Sequence, residues 1–123
     1  MWKKKCWLLC ILAACNSPSE REIRLQGEAE TRKLALLFSE ITTKEQLQKR
    51  MPSIQSSYGK IADLMIQLKH LEGGFTPEEE PSEASVALYG ELTRLYEMPG
   101  FRYLLEKAQE GAVERLKTAS IAP

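Results

Sequence analysis

From Leu47 onward the apolar residues step by four and three along the chain: Leu47, Met51, Ile54, Tyr58, Ile61, Met65 and Leu68 follow one another without a miss. That spacing keeps all seven on one side of an α-helix and predicts a long amphipathic helix packed in a bundle or a coiled coil. Its opening is expected at Thr42, with Glu45 three residues on in capping-box spacing, and its stop at Gly73-Gly74. Pro52 lies inside the pattern, lacks an N–H and crowds the carbonyl of Gln48, so a kink near Gln48 or a break into two helices is expected. Covered by other helices, the stripe makes the chain a self-contained bundle; left exposed, it is half of an intermolecular coiled coil.

The remaining pattern is also helical. Ser17, Pro18 and Glu20 read as a cap, a first helical position and a capping-box carboxylate, so a first helix runs from there to about Ile41. Charge dominates its first half, with Glu20–Arg24 and Glu28–Arg32 as i,i+4 pairs, and apolar density arrives only at Leu34, Leu36, Leu37, Phe38 and Ile41. The near half therefore reads as a solvated stalk. After an acidic loop, Phe75 to Pro81, a third helix is expected beyond Ser82, with Ala84, Leu88, Leu92 and Leu95 on one face. Met98-Pro99-Gly100 interrupts it, and a fourth helix, starting near Pro99 or Gly100 and reaching about Thr118, turns Phe101, Leu105, Ala108, Ala112 and Leu116 inward. No strand alternation of useful length occurs. The fold class predicted is all-α, a small three- to four-helix bundle or an extended helical hairpin, with the fourth helix separate from or continuous with a neighbour. Each helix carries one interior glycine, at Gly27, Gly59, Gly90 and Gly111, which either permits close helix approach or occupies a tolerant surface position.

The start of the chain differs in kind. Lys3, Lys4 and Lys5 precede an apolar run from Cys6 to Ala14. At about 1.5 Å per residue such a run covers roughly half of a ~30 Å hydrocarbon core, which fits a removable signal better than a permanent span. Of the three cysteines only Cys15 follows small residues, Ala13 and Ala14, which in turn follow Leu12. Leu12-Ala13-Ala14-Cys15 resembles the signal of bacterial lipoproteins, an aliphatic residue and two small residues before an invariant cysteine. The resemblance covers about the first sixteen residues. It implies a diacylglyceryl group on the Cys15 sulfur, cleavage between Ala14 and Cys15, and acylation of the new amine. It also divides the chain into a signal peptide at 1–14, a lipidated N-terminus and short tether at 15–18, and one helical domain at 19–123. Two or three acyl chains hold a protein firmly on its membrane where one does not. In Gram-negative members of the family, retention at the inner membrane is usually signalled by Asp after the cysteine; Asn16 stands there, which favours the outer membrane, on the periplasmic side.

Composition then narrows the function classes. Removing the first 14 of 123 residues takes away three lysines, so the basic residues fall from seventeen to fourteen against seventeen acidic ones, a formal charge of minus three. A mildly acidic chain is a poor electrostatic match for nucleic acid. The remaining cysteine is committed to lipid, so no disulfide is expected, and stability rests on packing.

Candidate chemistry is sparse. His70, the single histidine, stands near the end of the second helix, where the helix dipole favours it as a cap. With Asp63, the single aspartate, and scattered glutamates it has no metal-ligand spacing. Glu78, Glu79 and Glu80 lack the geometry of a calcium loop, and Gly73-Gly74 lacks the Lys-Ser/Thr of a phosphate loop. No catalytic residue, metal or cofactor is therefore expected apart from the covalent lipid, and the chain reads as a non-enzyme. Tyr89, Tyr96, Phe101 and Tyr103 gather around the Met98-Pro99-Gly100 break, and the core accounts for aromatics there more readily than binding does. Tyr89, Arg94, Tyr96, Arg102 and Tyr103 make the candidate partner surface. The expected function is a membrane-anchored helical module of the envelope that binds another envelope protein or itself. The alternative is an inhibitor or immunity-type lipoprotein whose Glu78–Glu80 loop meets a basic target.

Overall fold

Ser19, not Ser17, opens the first helix. Its hydroxyl accepts a hydrogen bond from the Glu22 amide at 3.2 Å, and α1 runs Glu20–Ser39. Ser17 and Pro18 lie outside the residues that the computed structural model describes, 19–72 and 82–121. At the other end Glu40 turns its amide back onto the Leu37 and Phe38 carbonyls, so the helix stops short of Ile41. The expected ion pairs form, Arg24 to Glu20 at 3.1 Å and Arg32 to Glu28 at 3.4 Å. The near half of α1 is nevertheless no stalk. Ile23, in the first turn, is 3% exposed, and one buried aliphatic side chain there docks a segment whose charge suggested solvation.

The second helix, α2, spans Lys44–Glu72. Its capping box sits one residue later than expected: Thr43 Oγ1 accepts from the Gln46 amide at 3.2 Å, and Gln46 Oε1 accepts from the Thr43 amide at 3.1 Å and the Thr42 amide at 2.7 Å. Pro52 does not break it. Pro52 and Gln48 are both on the exposed side, where water can serve the carbonyl that loses its amide partner. Gly73-Gly74 and the Glu78–Glu80 loop lie outside the described residues.

Ser82 caps α3, Glu83–Tyr96, by accepting from the Ser85 amide at 3.1 Å. The fourth helix starts later than expected. Gly100 takes φ +82°, a left-handed backbone that side chains resist, and α4 begins only at Arg102, running to Ile121. The Leu105 amide bonds the Phe101 carbonyl at 3.0 Å, so Phe101 is the last residue before the helix. The described residues thus form four separate helices and no strand, a small all-α bundle and not an extended hairpin.

Packing follows from where the apolar faces point. α1 packs on α2 and α3, α2 packs on α4, and the consecutive α3 and α4 share only a brief contact. The short Glu40–Thr43 turn makes α1 and α2 antiparallel. Lys44, opening α2, lies beside Gly100, and Arg115, late in α4, reaches Asp63, so α2 and α4 run parallel. Arg94, late in α3, reaches the end of α1. The C-termini of α1 and α3 therefore meet the N-termini of α2 and α4 at one end, an arrangement that sets opposite dipole ends side by side. The core is concentrated there, in Leu34, Phe38, Ile41, Leu47, Ile54, Leu95, Phe101, Leu105 and Ala108. The Leu47–Leu68 stripe is covered by α1 and α4: Leu47, Ile54 and Leu68 are buried, and Met51, Tyr58, Ile61 and Met65 are half-buried.

Candidate functional site

Cys15 and its preceding Leu12, Ala13 and Ala14 lie outside the described residues. Cys15 is five positions from Glu20, the first residue of α1. An extended chain covers at most about 3.5 Å per residue, so the cysteine can stand no more than roughly 17 Å from that helix end.

The candidate aromatic and arginine surface divides into three parts. Tyr96 and Arg102 come together across the turn between α3 and α4, the guanidinium 5.6 Å from the ring centroid, a cation–π pair. Gln109 of α4 donates to the Tyr96 hydroxyl at 3.4 Å. Tyr103 and Tyr89 are highly exposed, with Lys107 lying 5.6 Å from the Tyr103 ring. Phe101, by contrast, is a core residue. Arg94 is engaged within the fold. Its Nη2 donates to the Phe38 carbonyl at 2.9 Å and the Ile41 carbonyl at 3.1 Å, and its Nε to Glu91 at 3.0 Å. The cation thus adds a donor to the Phe38 carbonyl in the last turn of α1 and serves the Ile41 carbonyl in the turn beyond it, where negative dipole ends gather.

Among the described residues, two buried side-chain oxygens have no hydrogen bond: that of Tyr58, which the sequence pattern placed in the Leu47–Leu68 stripe, and one of Glu30. The Tyr58 hydroxyl is buried without a hydrogen-bond partner, and its ring lies 6.4 Å from that of Phe38. Burial, and secondarily the Tyr96 phenol nearby, push its ionisation far above the ordinary tyrosine range; the Gln109 amide opposes the shift from close by without reaching hydrogen-bond geometry. Glu30, 15% exposed at its side chain, has one carboxylate oxygen buried without a hydrogen bond and Lys33 at 4.0 Å. A signal existed for Glu30. Ile23, Glu30, Leu34 and Phe38 are spaced by seven and four, which sets the carboxylate in the line of the buried face.

The other candidates stay apart. His70 is exposed in the last turn of α2, and Asp63 accepts from Arg115 at 3.0 Å. Among the described residues, no three His, Cys, Asp or Glu side chains converge as a metal site would need, and no helix is long and apolar enough to cross a membrane. An open depression of about 680 Å³ follows α4 past Tyr103, Glu106, Lys107, Glu110, Val113 and Lys117, with carboxylates and ammonium groups interleaved. Comparison with known proteins yields no match to a family model, a curated protein or a solved structure.

Proposed function

We propose that the chain is a small envelope lipoprotein, held at the periplasmic side of a membrane by acyl chains on Cys15, the outer membrane in preference to the inner, and acting there as a non-enzymatic helical binding module. The observation that carries this reading is the run Leu12-Ala13-Ala14-Cys15 behind a lysine-rich start and a short apolar stretch. The fold is compatible with it. A bundle whose longest apolar stripe is covered by its own helices needs no partner to fold, so the lipid and the outer surface are left for tethering and recognition. Restricting such a domain to a thin layer raises its effective concentration for partners on the same membrane.

The test is in-cell crosslinking of the full-length protein beside a Cys15→Ser variant, with fatty-acid labelling to report acylation. Acylated protein in the membrane fraction, a discrete captured partner, and loss of both in Cys15→Ser are expected. Unlabelled protein in the soluble fraction would sink the lipoprotein reading, and labelled protein with no captured species, itself included, would sink the binding module.

A further inference from the structure

On the side opposite its buried face, α1 carries an exposed line of two leucines, an alanine and an arginine. Leu25 is 54% exposed and Leu36 66%, and with the exposed Ala29 and Arg32 they step by four, three and four residues, the spacing of a coiled-coil seam. Glu28 and Lys33 flank the line on opposite sides. In a parallel pair of α1 helices with Leu25 and Arg32 at d positions, Glu28 falls at g and the Lys33 of the other copy at the facing e, an attractive pair that two-fold symmetry forms twice. Within its own chain Lys33 approaches Glu30 only to 4.0 Å.

Arg32 opposes such a pairing, since like charges meet at the seam, although Glu28 of the same helix offsets it at 3.4 Å. Two leucines and an alanine per copy also bury far less than the ~1,200 Å² at the lower end of stable interfaces. The seam is thus too weak to hold free copies together. Tethered copies are different: anchored through Cys15 in one leaflet, they hold the N-terminal ends of their α1 helices within a short reach of the same surface, which favours a parallel meeting at high effective concentration. We infer that the outer face of α1 pairs in parallel with α1 of a second copy on the membrane. The contribution of the tether rests on the lipoprotein reading, whereas the seam itself rests on exposure, spacing and charge.

The experiment is oxidative crosslinking in membranes of the full-length chain in a Cys6→Ser, Cys10→Ser background. Ala29→Cys should give a disulfide-linked dimer above that background, and Glu110→Cys, on the exposed side of α4, should give none. Leu36→Asp, placed at an exposed position so that folding is retained by circular dichroism, should abolish the Ala29→Cys dimer. Glu28→Lys should weaken it, and adding Lys33→Glu should restore it. Fatty-acid labelling reports the anchor separately. Labelled protein that crosslinks equally at residues 29 and 110, or at neither, overturns the pairing. Unlabelled protein that still crosslinks selectively at residue 29 supports the pairing and removes the tether, and unlabelled protein without selective crosslinking overturns both.

Discussion

From the last turn of α3, Arg94 spans the Phe38 carbonyl at the end of α1 and the Ile41 carbonyl in the turn beyond, and the two bonds depend on the forked shape of a guanidinium. Hydrogen bonds from a charged donor contribute more than neutral ones, and this side chain is 40% exposed, so solvent competes for them. Arg94→Ala should cost about 1–2 kcal/mol in urea unfolding, with Arg94→Lys in between because an ammonium group cannot serve both acceptors in the same geometry. Tyr58 presents the opposite case, a buried hydroxyl that gains nothing. Its replacement by Phe should stabilise the fold by roughly 1 kcal/mol at neutral pH, since an unsatisfied polar group is removed with its shape retained. The pH dependence has a definite sign. Burial raises the folded-state ionisation of Tyr58 above the unfolded value near 10, so the unfolded chain releases that proton first, and stability should fall as pH climbs past about 10. Unfolding curves at about pH 8 and about pH 11 should diverge for the parent and less so for Tyr58→Phe.

At the scale of elements, the helices are specified by caps and periodicity, and their weak points are glycines. A Cβ on Gly111, mid-way along α4, would meet nothing within 4 Å, whereas one on Gly59 would press within 3.3 Å of the Arg115 guanidinium that bonds the Gly59 carbonyl and Asp63. Gly111→Ala should therefore raise thermal stability by about 0.5–1 kcal/mol from backbone entropy alone, and Gly59→Ala should gain less. A reversal of that order in calorimetry would mean that α4 is strained in a way its open surroundings do not reveal. Two of the shifted helix starts share one cause: Ser17 and Ser19, and Thr42 and Thr43, offer neighbouring residues of similar capping chemistry, and the hydroxyl that reaches the free amide decides between them. The start of α4 is set instead by the left-handed backbone of Gly100.

For the whole molecule, the α3–α1–α2–α4 order of packing gathers four helix termini and most of the core at the end remote from the start of α1. If Cys15 carries the anchor, that end faces away from the bilayer, with Tyr96, Arg102 and Tyr103 around its turn and the α1 line of Leu25 to Leu36 running along the side. Much of this was legible beforehand. The all-α class, the three to four helical segments, the one-sided stripe from Leu47 to Leu68 and the i,i+4 ion pairs of α1 follow from local spacing, because a helix fixes which residues share a face whatever it packs against. The proposed lipid site rests on a four-residue pattern in the sequence alone, Leu12-Ala13-Ala14-Cys15. Other properties were decided by tertiary contact: the docking of the first half of α1 through Ile23, the covering of the Leu47–Leu68 stripe, the survival of α2 across Pro52, the binding of Arg94 to the end of α1, and the buried oxygens of Tyr58 and Glu30 that make no hydrogen bond. Each depends on which residue distant in sequence, or how much water, lies against a group. Periodicity tells a face from its opposite but not what that face will meet, so the chain by itself determined its helices and its candidate address, and only the packed structure decided which polar groups are satisfied and which surfaces remain open.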